Sequence, residues 1–243
     1  MGSLLAEFIG TALLIILGDG VVANVLLNKS KGHIAGWMAI STGWGLAVAL
    51  SVYCIGVFSG GHLNPAVTIA MATIGKLPWS DVAGYIAAQM GGAFVGATMV
   101  WLAYLPHWKE TPDTGTKLGV FCTAPAVRSA IPNLITEIIG TFVLVLGVLA
   151  SLTPENLSPD HGLNTGLGPL LVGLIVLAIG LSLGGPTGYA INPARDLGPR
   201  IAHALLPISG KGGSDWGYAW IPIVGPIIGG VAAALFYRAC WPA

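Results

Sequence analysis

Long stretches without any charged residue constrain this chain more than any other feature of its sequence. Charged side chains are absent from 34–61, 82–106, 138–154, 162–194 and 216–237. Because a helix of about 20 apolar residues crosses the hydrocarbon core of a bilayer, we predict six membrane spans, near 4–27, 35–56, 82–105, 133–152, 167–185 and 218–238. The first span contains Glu7 and Asp19 and lacks the basic leading segment of a signal peptide, so we expect it to remain as a helix.

The low charge content excludes several classes of protein. Charged residues make up 8% of the 243 residues, whereas a soluble domain carries about 25%, so we exclude a soluble enzyme. The formal net charge is zero and no Lys/Arg cluster occurs, which argues against a nucleic-acid partner. The three cysteines have no metal-binding spacing, and we find neither a His/Glu metal motif nor an activated nucleophile. We therefore predict no metal, no cofactor and no catalytic residues.

Two further apolar segments are too short to cross a membrane. Ala66–Ile74 follows the second span and Leu197–Leu206 follows the fifth. Segments of this length are re-entrant candidates, which are tolerated at membrane depth where they line a cavity or are buried in protein. The remaining connections, at 28–34, 106–131, 153–166 and 207–217, are short polar loops in which we expect no separate domain.

The chain contains an internal repeat. Ala6–Thr11 matches Thr136–Thr141 at an offset of 130 residues, and His62–Ala66 matches Ala190–Ala194 at an offset of 128. A glycine pair also recurs, since Gly91–Gly92 in the third span corresponds to Gly229–Gly230 in the sixth. Each half has three spans and one short segment, and an odd number of spans places the second half upside down. Inverted repeats of this kind hold their binding site near the midplane, where broken helices meet.

Each short segment begins with the same tripeptide, Asn64-Pro65-Ala66 or Asn192-Pro193-Ala194. Asn is a preferred N-cap and Pro is favoured at the first helical position, so each tripeptide predicts the start of a half-helix. The inverted symmetry lets the two N-termini meet, and each contributes about half a positive charge. Such a junction repels cations and offers two amide donors to a neutral solute. It predicts a pore for uncharged polar molecules that rejects protons and metal ions.

Arg195 follows the second tripeptide directly. An arginine at membrane depth costs about 2.5–3.5 kcal/mol on insertion scales, so its default interpretation is functional. Its donors can hold solute oxygens, and its charge adds a barrier to cations. The non-helical backbone before each half-helix should turn its carbonyls toward the pore. The residues that we expect to line the pore in this way are Gly60, Gly61, His62, Gly188 and Ala190.

The segments Gly60–Thr68 and Gly188–Arg200 carry a resemblance to a known family. The chain resembles the aquaporin family over nearly its whole length, and within it the glycerol facilitator (aquaglyceroporin) branch. The resemblance implies an all-α membrane protein with six transmembrane helices and two re-entrant half-helices in two inverted repeats. Residues 1–243 would form one channel domain, with repeats at about 4–105 and 133–238 joined by the loop 106–132.

The resemblance also implies a homotetramer in the cell membrane with cytoplasmic termini, and the short loops indicate a bacterial protein. The charge pattern disagrees on orientation. Most Lys and Arg residues lie in the loops after spans one, three and five, which by the positive-inside rule places the termini outside. We follow the resemblance here, because that rule is statistical and few charges are counted.

By resemblance, Trp44, Gly180 and Tyr189 complete a selectivity filter with Arg195. Water-selective relatives carry a histidine where this chain has Gly180, so we expect a wider pore here. Trp44 should present an apolar face opposite Arg195, which fits the carbon and oxygen sides of a small polyol. Tyr189 departs from the phenylalanine of the commonest bacterial pattern. Glycerol and water are therefore the predicted solutes, with dihydroxyacetone, urea and protonated lactic acid as further candidates.

The other charged residues of the membrane segments receive structural interpretations. Asp196 marks the glycerol branch and should pair with Arg200, one helical turn further on. Glu7 and Glu137 occupy equivalent repeat positions, where each carboxylate should accept backbone N–H groups of the facing loop. The alternative for this glutamate pair is proton-coupled transport. Asp19 has no counterpart in the second repeat, and we leave open whether it faces a pore vestibule or another subunit.

Overall fold

The computed structural model describes residues 1–151 and 163–241 of the chain. Most of the predicted polar loop 153–166 lies outside the described residues. The helices found are α1 (Ser3–Leu26), α2 (Trp37–Ser59), α3 (Pro65–Thr73), α4 (Trp79–Ala103), α5 (Leu105–Glu110), α6 (Thr114–Phe121), α7 (Ala130–Ser151), α8 (Leu163–Leu183), α9 (Pro193–Leu205) and α10 (Ile221–Cys240). Six of them, α1, α2, α4, α7, α8 and α10, are long and apolar enough to cross a membrane. The predicted spans are thus confirmed, with ends displaced by a few residues.

The two half-helices begin at the predicted tripeptides. Asn64 is the N-cap of α3 and Asn192 is the N-cap of α9, and a proline follows each of them at the first helical position. Helix α9 starts before the apolar segment Leu197–Leu206, because its first turn carries polar residues that the apolar pattern omits.

The two halves of the chain pack in corresponding ways. Helix α1 contacts α4 as α7 contacts α10, and the half-helices cross over, so that α3 packs on α10 and α9 packs on α4. The glycine correspondence is shifted by one residue from the predicted one. A Cβ on Gly92 would lie 2.2 Å from the carbonyl oxygen of Phe8, and a Cβ on Gly229 would lie 2.2 Å from that of Ile138. Gly92 and Gly229 are therefore the equivalent pair, and each lets two helix backbones touch.

The connection 106–131 has more structure than its polar composition predicted. It contains the short helices α5 and α6, whose Trp108 and Phe121 side chains are buried. The side chain of Asp113 caps α6 by accepting the N–H of Thr116 at 2.6 Å, and this hydrogen bonding lowers the pKa of the Asp113 carboxyl. The connection then runs from Phe121 to Thr123 beside the first turn of α9.

Candidate functional site

The N-termini of α3 and α9 meet and are joined by their capping asparagines. The side-chain oxygen of Asn64 accepts the N–H of Ala66 at 2.9 Å, and that of Asn192 accepts the N–H of Ala194 at 2.9 Å. Asn64 Nδ2 donates to the carbonyl of Ile191 at 2.8 Å, and Asn192 Nδ2 donates to the carbonyl of Leu63 at 2.8 Å. Since an amide carries two N–H groups, each asparagine can tie the opposite loop and still offer a donor to a solute.

The loop before each half-helix is held by a buried carboxylate. Glu137 accepts the N–H of Ala190 at 3.0 Å through Oε1 and the N–H of Ile191 at 2.8 Å through Oε2. Glu7 does the same in the first half, with His62 N–H at 3.0 Å and Leu63 N–H at 2.7 Å. The predicted backbone contacts of both glutamates are therefore present. All four carboxylate oxygens of Glu7 and Glu137 accept hydrogen bonds, as they must if these side chains hold the two loops in place.

These carboxylates stabilise an unusual backbone conformation. Leu63 and Ile191, each directly before its asparagine, have φ angles of 54° and 43°. This left-handed region is strained for side chains with a Cβ, above all for a branched residue such as Ile191, and it persists only where neighbours fix it. At both residues a glutamate holds the N–H while an asparagine of the opposite loop holds the carbonyl. The junction is thus fixed on both sides of each strained residue.

A cavity of about 500 Å³ contains the junction. It extends from Tyr53, Val57 and Lys76, on the face of the bundle where α1 begins, to Trp44, Tyr189 and Arg195. Much of its lining is apolar and is formed by Leu14, Val48, Val52, Val67, Met71, Leu144, Val148, Leu149, Val172 and Val176. Of the predicted lining residues, the cavity contacts Gly60, Gly61, His62, Asn64, Ala190 and Asn192. Gly188 is not among the lining residues, and a Cβ on it would instead meet Thr123 at 3.3 Å.

Trp44, Tyr189 and Arg195 end the cavity, and their arrangement corrects one expectation. The guanidinium carbon of Arg195 lies 4.1 Å from the ring centroid of Trp44. Trp44 is therefore stacked on Arg195 and does not stand opposite it. This contact is a cation–π interaction, which leaves one edge of the guanidinium for hydrogen bonds and one edge of the indole for apolar contact.

Gly180 also differs from its expected role. It is not among the residues that line the cavity. A Cβ on Gly180 would lie 2.8 Å from Cζ of Tyr189 and 3.0 Å from Oγ of Ser41. The missing side chain therefore leaves no open space, because the Tyr189 ring fills it. The Gly180 carbonyl accepts the indole N–H of Trp37 at 2.8 Å, which holds this part of α8 in place.

Asp19 faces neither a vestibule nor another subunit. Its side chain is completely buried within the chain, and its Oδ1 lies 3.5 Å from Nη1 of Arg195. Both alternatives that the sequence left open are thus wrong. No motif or repeat offset indicates this ion pair, whose members lie 176 positions apart in the chain.

Asp196 and Arg200 form the predicted pair. Arg200 Nε donates to Asp196 Oδ1 at 2.8 Å, and Arg200 Nη2 donates to Oδ2 at 3.0 Å. Asp196 Oδ2 also accepts the backbone N–H of Thr123 at 2.8 Å, and Arg200 Nη1 donates to the carbonyl of Ser214 at 2.8 Å. The pair links α9 to the two loops beside it and does not line the cavity.

Three polar partners of the glutamates were missed in the sequence. Ser59 Oγ donates to Glu7 at 2.6 Å, and Thr187 Oγ1 donates to Glu137 at 2.7 Å. These two hydroxyls are 128 positions apart, so the repeat offset could have found them. Gln89 donates to Glu7 at 2.8 Å and has no such signal. Among the described residues, no three His, Cys, Asp or Glu side chains are grouped as metal ligands.

Comparisons with known proteins identify the family of the chain. The sequence profile of the family described as Major intrinsic protein matches residues 1–237. The chain is 65% identical to a "Probable glycerol uptake facilitator protein" of Thermotoga maritima, over 98% of this chain and 99% of that one. It is 41% identical to a "D/L-lactic acid transporter" of Lactiplantibacillus plantarum, over 96% of this chain and 95% of that one. The solved structure of the aquaglyceroporin from Plasmodium falciparum superposes with a TM-score of 0.85 at 31% identity, covering 98% of this chain and 95% of that chain.

Proposed function

The chain belongs to the major intrinsic protein family, and we propose that it is a passive membrane channel for glycerol and similar small uncharged solutes. The observation that carries this proposal is the junction of α3 and α9. Two capping asparagines there lie in a cavity with a largely apolar lining, and this cavity ends at Trp44, Tyr189 and Arg195. Relatives named as glycerol facilitators support the choice of solute.

The lining offers a polyol two kinds of surface. Carbon atoms of the solute pass along the apolar lining residues, while its hydroxyls exchange hydrogen bonds with the asparagine amides and with Arg195. Each hydroxyl can donate and accept at once, so the solute can replace its water partners one by one. At the constriction, the Trp44 indole and the Tyr189 ring contact the carbon chain, and the guanidinium donates to oxygen. No covalent step and no energy source are needed, and water would pass by the same exchange.

Ions are excluded by electrostatics. Each half-helix N-terminus carries about half a positive charge, and α3 and α9 direct both of theirs at the junction. Arg195 adds a further positive group at the end of the cavity. A metal cation or a hydronium ion would therefore meet two successive barriers while losing its hydration.

We extend the proposal to the solutes and the assembly that the sequence predicted. Water, dihydroxyacetone, urea and protonated lactic acid are candidate further solutes, and the lactic acid transporter among the relatives supports the last of these. Residues 1–243 act as one channel domain in each subunit of a homotetramer. The cell membrane of a bacterium, with both termini in the cytoplasm, is the proposed location. This orientation follows the family resemblance and is opposite to the one that the charge pattern of the loops favours.

Stopped-flow light scattering on proteoliposomes tests the function. We expect glycerol to enter reconstituted vesicles faster than empty ones, with the low activation energy of a channel. A longer polyol should enter more slowly through the same vesicles, because more of its hydroxyls must exchange water for partners in the cavity. Equal glycerol entry into reconstituted and empty vesicles would refute the proposal.

A further inference from the structure

Helix α1 supports both side chains that stack at the end of the cavity. Asp19 is fully buried, and its Oδ1 lies 3.5 Å from Arg195 Nη1. Gly18, the residue before it, lies directly against Trp44, since a Cβ there would be 2.2 Å from the indole ring. Gly18 thus contacts the Trp44 indole, and the next residue of α1, Asp19, faces the Arg195 guanidinium. Neither of them lines the cavity, so neither contacts a solute.

The buried charges around the constriction sum to zero when both carboxyls are ionised. Arg200 pairs with Asp196 through two hydrogen bonds of 2.8 and 3.0 Å. Within the described residues, Asp19 is the carboxylate that forms an ion pair with Arg195. The other polar partner of Arg195 Nη1 is the carbonyl of Phe121, at 3.5 Å, which brings no charge. Removing the charge of Asp19 would therefore leave one uncompensated positive charge at the end of the pore.

An uncompensated guanidinium attracts carboxylates, which it matches in geometry and charge. A pore that selects neutral hydroxylated solutes would then bind small anions and be blocked by them. Asp19 can prevent this without entering the pore, because its charge acts through space across 3.5 Å in a region of low dielectric. The long separation agrees with an electrostatic role, since a strong charge-assisted hydrogen bond would be about 2.7–2.9 Å.

We infer that Asp19 is a specificity-determining counter-charge, a positioning residue that keeps Arg195 from becoming a binding site for small carboxylate anions. This inference rests on the proposed channel function and deepens it. It assigns to α1 the discrimination between a neutral solute and an anion, whereas the half-helix junction discriminates against cations. The class of ligand that Asp19 excludes is the small monocarboxylate, for which formate is the simplest probe.

The test compares Asp19→Asn with the wild-type channel at neutral pH, where formate is ionised. Asparagine keeps the size of the side chain and removes its charge. Glycerol entry is measured with sodium formate in the buffer and again without it. We expect no inhibition of the wild type and strong inhibition of Asp19→Asn, with formate affinity raised at least about tenfold, a factor that corresponds to about 1.4 kcal/mol. Unchanged formate sensitivity of Asp19→Asn would overturn the inference.

Two further variants control for charge and for location. Asp19→Glu keeps the charge and should remain insensitive to formate, and inhibition of this variant would count against a counter-charge role. Asp81→Asn removes an exposed carboxylate outside the site and should behave as the wild type does. A merely structural Asp19 would lower the melting temperature of Asp19→Asn without creating a response to formate.

A binding measurement separates this inference from the proposed function. If formate binds only the Asp19→Asn protein, formate should raise the melting temperature of that variant and not of the wild type. This readout does not depend on glycerol transport. Wild-type vesicles that pass no glycerol would refute the channel proposal alone, while equal melting shifts in both proteins would refute the role of Asp19 alone.

Discussion

Replacing Glu137 by glutamine would keep the size of the side chain and remove its charge. Glu137 accepts three hydrogen bonds, from Thr187 Oγ1 at 2.7 Å, Ala190 N at 3.0 Å and Ile191 N at 2.8 Å. The best orientation of the new amide would keep its oxygen on Thr187 and Ala190 and turn its NH₂ group toward the N–H of Ile191. That buried N–H would then have a donor where it needs an acceptor.

The expected loss follows from these contacts. An unsatisfied buried N–H costs about 1–3 kcal/mol, and two bonds that lose their charge each weaken by about 1 kcal/mol. Removing the carboxylate also removes its desolvation cost, so we expect a net loss of about 2–4 kcal/mol. For a chain of this size each kcal/mol lowers the melting temperature by about 2–4 °C. The expected decrease is therefore about 5–15 °C.

The assay combines thermal unfolding in detergent with glycerol flux in vesicles. Ile191, no longer held at its strained φ of 43°, should shift and move the Asn64 amide that donates to its carbonyl. Flux per folded channel should fall and should remain independent of a proton gradient. A wild-type melting temperature would refute the bracing role. Wild-type transport that requires a proton gradient, and a Glu137→Gln variant in which that requirement is lost, would instead establish proton coupling.

Two further substitutions test the packing of the pore and of the helices. Gly180→His should reduce glycerol flux at least about tenfold, the effect of one added group in an apolar pocket, because its Cβ would lie 2.8 Å from the Tyr189 ring. Water flux should fall less than glycerol flux. Equal loss of both fluxes would contradict the interpretation that Gly180 leaves room for the Tyr189 ring at the constriction. Gly92→Ala should destabilise the protein by about 1–3 kcal/mol through overpacking, because its Cβ would lie 2.2 Å from the Phe8 carbonyl oxygen. Gly91→Ala is the matched control, since its Cβ would meet only the Phe8 side chain, at 3.2 Å, and similar melting temperatures for the two variants would refute the explanation.

The repeat and the apolar pattern were sufficient to predict the spans and the half-helices. The role of Glu7 and Glu137 in holding the loops was predicted from their equivalent repeat positions together with the family resemblance, with proton coupling as the alternative. These features depend on local chemistry, such as the capping preference of Asn64, or on symmetry, such as the match of Glu7 with Glu137. The inverted symmetry of the repeat also predicted that the N-termini of the two half-helices, α3 and α9, meet.

Contacts between parts of the chain that the repeat does not relate could not be predicted. The Asp19–Arg195 pair joins α1 to α9 and has no counterpart in the second half, where Leu149 occupies the corresponding position and lines the cavity. The stacking of Trp44 on Arg195 depends on Gly18, whose lack of a side chain has no pattern of its own. The prediction of open space at Gly180 was wrong for the same reason: only the folded structure shows that the Tyr189 ring occupies this space.

The most direct test of the central claim is glycerol flux into proteoliposomes with and without ion gradients. Ionophores that abolish proton and sodium gradients should leave the initial rate of glycerol entry unchanged, and the rate should rise in proportion to the glycerol gradient. A passive pore built around the α3–α9 junction requires both results. Glycerol entry that stops when the ion gradients are abolished would contradict the account.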